Sequence, residues 1–269
     1  MATKIVFFGI SDPGQQRANN EDHFLVADLT RRLLGVKNNR VLPQLIYHEL
    51  GPQGTLLAVA DGLGGYEGGE VASLLAVETI AEVLCAATPP TASASPKPRL
   101  RAAIEEAHRV ICQRHREVPG KEAMSSTLTA VHVGQSTLTI AQVGDSRAYL
   151  FSHGKLTILT EDQTVVRMLQ KKGMLTDEEA RNHPDRHVIL QALGQGQSVT
   201  PEVQRVPFQD GDCLLLCTDG LYSCVPHTHI EKILNTEKHE NVCCQRLIEA
   251  AYVAGSPDNV TVLLTRLLF

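Results

Sequence analysis

Leu56-Leu57-Ala58-Val59-Ala60-Asp61-Gly62-Leu63-Gly64-Gly65 decides how this chain is read. A run of five apolar residues predicts a strand buried on both faces. An aspartate follows at the strand's end, and glycines then let the backbone turn sharply at a sheet rim. Alone, that is ordinary turn chemistry. The pattern returns in the second half, where Cys213-Leu214-Leu215-Leu216-Cys217-Thr218 leads into Asp219-Gly220. Three more acidic islands border strands or glycine turns: Asn19-Asn20-Glu21-Asp22, Val143-Gly144-Asp145-Ser146-Arg147 and Ser256-Pro257-Asp258-Asn259.

Outward from these runs, the elements are legible by period. Val71, Leu74, Val77, Ala81 and Leu84 recur as one face of a helix, and so do Leu100, Ile104, Ala107 and Ile111. Between them, Ala86 to Pro98 holds four prolines and reads as a surface connector. Thr176-Asp177-Glu178-Glu179 and Thr228-His229-Ile230-Glu231 fit the capping box. A last helix, about 241–254, stops at Gly255. Two hairpins follow from alternation, one turning near Gly134-Gln135 and one at His153-Gly154. A meander of antiparallel strands with amphipathic helices predicts an α+β fold.

Composition narrows the function. The chain has 269 residues, 25 Lys+Arg against 30 Asp+Glu, and a formal charge of −5. Such mild acidity argues against a phosphate-backbone binder, so no nucleic-acid partner is expected. Trp is absent and Phe plus Tyr total 11, too few for a base-stacking platform. No apolar run approaches a membrane span, and the run Ile5 to Ile10 is too short for a signal core, so a cytoplasmic, membrane-free protein is expected. Seven cysteines without a secretory signal read as small core residues. A zinc site from Cys213, Cys217, Cys224, His227 and His229 is the weaker reading, because the spacing of ligand pairs fits poorly.

Massed carboxylates at sheet ends demand cations. At ~4 Å and an effective dielectric of ~20, each like-charged pair repels by about 4 kcal/mol. Oxygen-only donors favour hard divalent ions such as Mg2+ or Mn2+. Spacing alone does not show that the islands converge.

In order and content the islands resemble the metal-dependent protein phosphatase family (PPM, protein phosphatase 2C type) in its bacterial Ser/Thr form. Arg17 to Asp22 is similar to the family's R-x-x-N-x-D opening, and Asp61 to Ser73 to its D-G-M/L-G-G…G-E-x-A-S segment. Gly144-Asp145-Ser146-Arg147, Thr160-Glu161-Asp162, Ala192-Leu193-Gly194, Thr218-Asp219-Gly220 and Ser256-Pro257-Asp258-Asn259 follow in order. The resemblance runs over residues 8–266 and implies one domain, 1–269, folded as a four-layer αββα sandwich of two antiparallel sheets flanked by helices. It implies a dinuclear Mn2+ or Mg2+ site at one sheet edge, with a looser third ion. By the same resemblance, Asp61 bridges both ions, and Asp219 and Asp258 complete one of them. The Gly62 carbonyl and Glu21 serve the other, with Asp22 behind. Asp145 and Asp219 hold the third ion. Arg17 grips substrate phosphate with its fork of donors, and Asn259 orients neighbouring ligands. The implied reaction is direct attack on phosphoserine or phosphothreonine by a metal-bridging water or hydroxide. The implied partners are phosphoproteins, including a Ser/Thr kinase, for a monomeric enzyme. A related module that binds without turnover is the alternative, but no acidic position is missing.

The chain departs from the family pattern in places. Leu63 stands where many eukaryotic relatives have His, which leaves leaving-group protonation to a water or another side chain; His23 is one candidate, although packing is the blander role. Ser125-Ser126-Thr127 replaces G-T-T, and Asp162-Gln163-Thr164 replaces D-H-S. Residues 30–55 form a basic insertion with Arg31, Arg32, Lys37 and Arg40, read as a solvated surface or a docking site. Residues 161–190 resemble the family's flap beside the catalytic groove. No nucleophilic C-x5-R motif exists; Cys112 does not meet that spacing.

Overall fold

In the buried strands, neighbouring residues face opposite layers. The computed structural model describes residues 3–38, 40–42, 44–64, 68–86, 95–117 and 124–269. Gly65, Tyr66, Glu67 and most of the proline-rich connector, 87–94, lie outside the described residues. The chain begins with β1 (Lys4–Asp12), β2 (His23–Asp28), β3 (Leu33–Asn38), β4 (Ile46–Glu49), β5 (Thr55–Ala60) and β6 (Gly62–Leu63). Helices α1 (Gly68–Ala86) and α2 (Lys97–Glu117) follow, then β7 (Ser125–Ser126), β8 (Leu128–Val133), β9 (Thr137–Val143), β10 (Arg147–Ser152) and β11 (Lys155–Ile158). Next come α3 (Val165–Lys171), α4 (Asp177–Asn182), β12 (Glu202–Pro207) and β13 (Cys213–Cys217). The chain closes with α5 (Asp219–Tyr222), α6 (His227–Thr236), α7 (Glu240–Val253) and β14 (Val260–Leu268).

Two six-stranded antiparallel sheets result, in the orders β11-β10-β13-β14-β1-β4 and β12-β9-β8-β5-β2-β3. On β5, Leu57 and Val59 point between the sheets, whereas Leu56, Ala58 and Ala60 face α1 and α2. On β2, Phe24 and Val26 face inward, and Leu25 and Ala27 face the helices. The other sheet is covered by α7, through Cys243, Cys244, Leu247 and Ala251. The layers are therefore αββα. A fully buried Leu or Val contributes roughly 1.5–3 kcal/mol, so a strand buried on both faces is stabilised twice over.

α2 buries Leu100, Ile104, Ala107 and Ile111 as its period predicts. α1 buries Val77, Ala81 and Leu84 as expected, whereas Val71 and Leu74 are only partly buried, and its buried face widens to Ala72, Ala76 and Ile80. Small residues let this helix lie close to the sheet and to α2, and periodicity that weights large side chains misses them. The capping box at Thr176 is present, with Glu179 reciprocating. The one at Thr228 is not: Pro226 is the N-cap of α6, Thr228 is inside the helix, and the Glu231 carboxylate instead accepts from Leu156 N at 2.7 Å. Helix α7 ends as predicted, at Gly255 with φ 74°.

The expected meander is split. The β8–β9 hairpin lies in one sheet, and the β10–β11 hairpin, turning at His153-Gly154, in the other. The chain changes sheets across Gly144-Asp145-Ser146. The basic insertion supplies an edge strand to each sheet, β3 beside β2 and β4 beside β1; its Arg31, Arg32 and Arg40 are exposed. The flap, with α3 and α4, is closed at its base by the Thr164–Ile189 bridge and by Val165 N donating to Val188 O at 2.9 Å.

Candidate metal centre

β5, β9 and β13 end, and β2, β10 and β14 begin, at one edge of the sandwich. The five acidic islands are the connections at that edge, so the two sheets bring together what the chain keeps far apart. Asp61, Gly62, Glu21, Asp145, Asp219, Asp258, Asn259 and Arg17 all line one cleft of about 710 Å3.

Each carboxylate is held by its own framework. The Asp61 backbone is locked to Thr127: Asp61 N donates to Thr127 Oγ1 at 3.0 Å, and Thr127 N to Asp61 O at 2.9 Å. Thr127 Oγ1 lies 2.6 Å from Ser146 Oγ, which links this corner to the Asp145 turn. The replacement of G-T-T by Ser125-Ser126-Thr127 keeps a β6–β7 ladder, with Gly62 opposite Ser126. A Cβ on Gly62 would strike the backbone oxygens of Gly69 and Glu21, so this close approach admits only glycine. Glu21 Oε2 lies against Gly69 in the first turn of α1, where the helix dipole favours an anion.

Asp219 opens α5 directly after β13. Its Oδ1 is buried and has no hydrogen-bond partner among the described residues. Asp258 precedes β14, and its Oδ2 is held by Arg17 Nη2 at 2.9 Å. Asn259 ties three segments: Oδ1 accepts from Glu21 N at 2.8 Å, while Nδ2 donates to Pro13 O and Asn19 O at 2.9 Å each. Asp22 is set back from the cleft and buried. Its Oδ2 accepts from the hydroxyls of Thr218 and Thr261, each at 2.7 Å.

The electrostatics follow from this crowding. Burial, then repulsion from Asp22, Asp219, Asp258 and Asp145, pushes the Asp61 carboxyl well above the usual range. Burial, then Asp145, Asp258 and Asp22, does the same to Asp219. Burial raises Asp22 to about 7 against its two threonine donors, and burial with nearby Asp162 raises Asp145 to about 6. Among the described residues, no three acidic, His or Cys side chains are already gathered to hold an ion. The carboxylates share the cleft rather than a point, and Asp258 is turned onto Arg17. The donor set still fits a hard cation: every candidate donor is oxygen, the groups resist ionising together, and Asp219 presents a buried oxygen that nothing satisfies.

Other sequence-level candidates go elsewhere. His23 is buried beneath α1 with Nδ1 2.9 Å from Ser73 Oγ, a packing role. Cys213 and Cys217 are buried core residues of β13, and no metal-holding group of His, Cys or acidic side chains forms around them among the described residues, against the zinc reading. Sequence reasoning missed Thr218 and Thr261, although hydroxyls beside acidic islands are a usable signal. It also missed Arg186, His187 and Ile189, which the flap brings to the cleft wall. Nothing local separates Arg186 from the flap's other cations.

Known proteins share this arrangement. The family model described as protein phosphatase 2C matches residues 46–251. The serine/threonine phosphatase Stp of Listeria monocytogenes is 37% identical over 78% of this chain and 83% of its own. The crystal structure of the Mycobacterium tuberculosis serine/threonine phosphatase PstP is similar with a TM-score of 0.81, at 33% identity over 98% of this chain and 100% of that one. The PstP catalytic domain in complex with two manganese ions is similar with a TM-score of 0.79, at 31% identity over 99% and 100%. With the αββα layers and the acidic sheet edge, these matches place the chain in the protein phosphatase 2C family.

Proposed function

We propose that this protein is a Mn2+- or Mg2+-dependent phosphatase of phosphoserine and phosphothreonine in proteins. The observation that carries the reading is the cleft where both sheets deliver carboxylates and where Asp219 Oδ1 is buried without a donor. Asp61, Asp219, Asp258, Glu21 and the Gly62 carbonyl would hold two cations, and Asp145 with Asp219 a third. When bound, such ions supply an activated water and offset phosphoryl charge.

The chain's own residues do the rest. Arg17 is exposed enough to leave Asp258 and take phosphate oxygens with two parallel donors. Asn259 holds the Glu21 loop against the Asp258 turn, so both carboxylates keep their places. Asp22, fixed by Thr218 and Thr261, ties the Asp219 corner to β14 and β2. The flap walls one side of the cleft and meets the peptide that flanks the phosphoresidue.

We further propose one domain over 1–269, a monomer acting in the cytoplasm, and a Ser/Thr kinase as the opposing enzyme. No described helix is long and apolar enough to cross a membrane. The test is phosphopeptide hydrolysis with and without added Mn2+, for wild type and Asp219→Asn. Metal-dependent turnover that the substitution abolishes is the expected result. Turnover without metal, or full activity in the variant, would overturn the mechanism.

A further inference from the structure

The turn that carries Asp145 is held from the base of the flap by Gln163, through its side chain and its backbone. Gln163 is 7% exposed. Its Oε1 accepts from Gly144 N at 2.9 Å, and its own N–H donates to Gly144 O at 3.0 Å. Its carbonyl accepts from Leu190 N at 2.7 Å, where the chain leaves the flap, and neighbouring Thr164 bridges Ile189. Both ends of the flap therefore meet at Gln163, and Gln163 meets Gly144. Its neighbours at the same end hold other groups: Asp162 takes Arg147, and Glu161 N donates to Gln142 Oε1 at 3.1 Å.

The amide orientation is decided by chemistry. Turned over, Nε2 would face the Gly144 N–H donor to donor. In the observed orientation, Nε2 is buried with no acceptor among the described residues, which is destabilising. Leucine has a similar volume and would remove the unpaired Nε2, but it would leave Gly144 N without its acceptor. A carboxamide here is explained by the bond to Gly144 rather than by packing.

We propose that Gln163 is a positioning residue that sets the Gly144–Asp145 turn from the flap, so that flap closure and cation affinity at Asp145 are coupled. This rests on reading Asp145 as a ligand of the third cation. The other contacts to the turn, Tyr222 Oη to Asp145 O at 3.0 Å and Gln142 Nε2 to Gly144 O at 3.2 Å, come from α5 and β9. They locate the turn but do not report the flap.

The test compares wild type with Gln163→Leu, Gln163→His and Asp145→Asn. Chelator-treated protein is titrated with Mn2+ by calorimetry, and trypsin cleavage after Lys171 and Lys172 reports flap opening. In the leucine variant, the weakest Mn2+ site should weaken about tenfold, within the usual range of coupling, and cleavage should speed up. The histidine variant, whose ring nitrogen can accept from Gly144, should restore both. Should the leucine variant fail to fold, Gln163→Met carries the same readings. Asp145→Asn should lose the weak site altogether. If Asp145→Asn loses it while the leucine variant keeps it, the inference is overturned, whether or not cleavage changes. If Asp145→Asn keeps it, the ligand reading fails first and takes the inference with it.

Discussion

The two Asp-Gly corners share one sequence grammar and become different structures. At Asp61 the backbone continues as the short strand β6, which pairs with β7, and Gly62 lines the cleft beside the carboxylate. At Asp219 the backbone coils at once into α5, and both corner carbonyls are taken, that of Asp219 by the Ser223 hydroxyl at 2.6 Å and that of Gly220 by the Ser256 hydroxyl at 2.8 Å. The difference lies in what packs behind each glycine: Gly69 and Glu21 backbone in one case, Asn259 backbone in the other. A strand-to-turn signal places a carboxylate at a rim. The neighbouring sheet decides which other oxygens accompany it.

The largest expected effect tests whether the corners are equal partners. Asp61→Asn and Asp219→Asn should each lower kcat by about a thousandfold, roughly 4 kcal/mol of barrier, with Mn2+ affinity falling in both. A variant that keeps a tenth of wild-type activity would make its corner accessory.

Next is pH. In chelator-treated protein, Asp22, Asp61, Asp145 and Asp219 all have raised folded-state pKa values. Protonation therefore favours the native state, and its stabilisation is lost as pH rises through about 6 to 7, the values for Asp145 and Asp22. Asp22 alone can account for up to about 4 kcal/mol. The melting temperature should fall from pH 5 to pH 8, and saturating Mn2+ should remove that fall. A rise with pH in the metal-free protein would contradict the crowding at both corners.

Gly62→Ala and Gly220→Ala sharpen the contrast in backing. Each Cβ meets backbone rather than a movable side chain, so each should cost about 2–3 kcal/mol in urea unfolding. Only Gly62→Ala pushes on Glu21, so it should weaken Mn2+ binding more. Equal binding in the two variants would erase the distinction.

Smallest is Thr127→Val, which leaves Asp61 N without its acceptor and should cost about 1–2 kcal/mol. Activity should change less than stability, because the Thr127 N–H to Asp61 O bond survives.

Much of this was legible before the fold was known. The apolar runs at 56–60 and 213–217 are strands buried on both faces, α2 shows its stripe on the expected residues, and Thr176 caps its helix. Where reading failed, a competing contact won. Thr228 lost its cap because Pro226 starts α6 earlier, and the buried face of α1 is wider than the expected stripe because Ala72 and Ala76 carry little periodic signal. Of the site, every acidic island lies on the cleft except Asp22, which its threonines hold one layer back. Arg186 and His187 were invisible because a flap's position depends on what anchors its base.

By itself, the sequence determined the strands, their rim aspartates, and an oxygen-only donor set that calls for hard cations, because apolar period and side-chain chemistry are local properties. Only the tertiary structure decided that hairpins adjacent in sequence part into different sheets across Asp145. It also decided that Arg17 now sits on Asp258 and that Gln163 joins flap to turn. Those outcomes depend on contacts between residues far apart in the chain, whose energies no single segment contains.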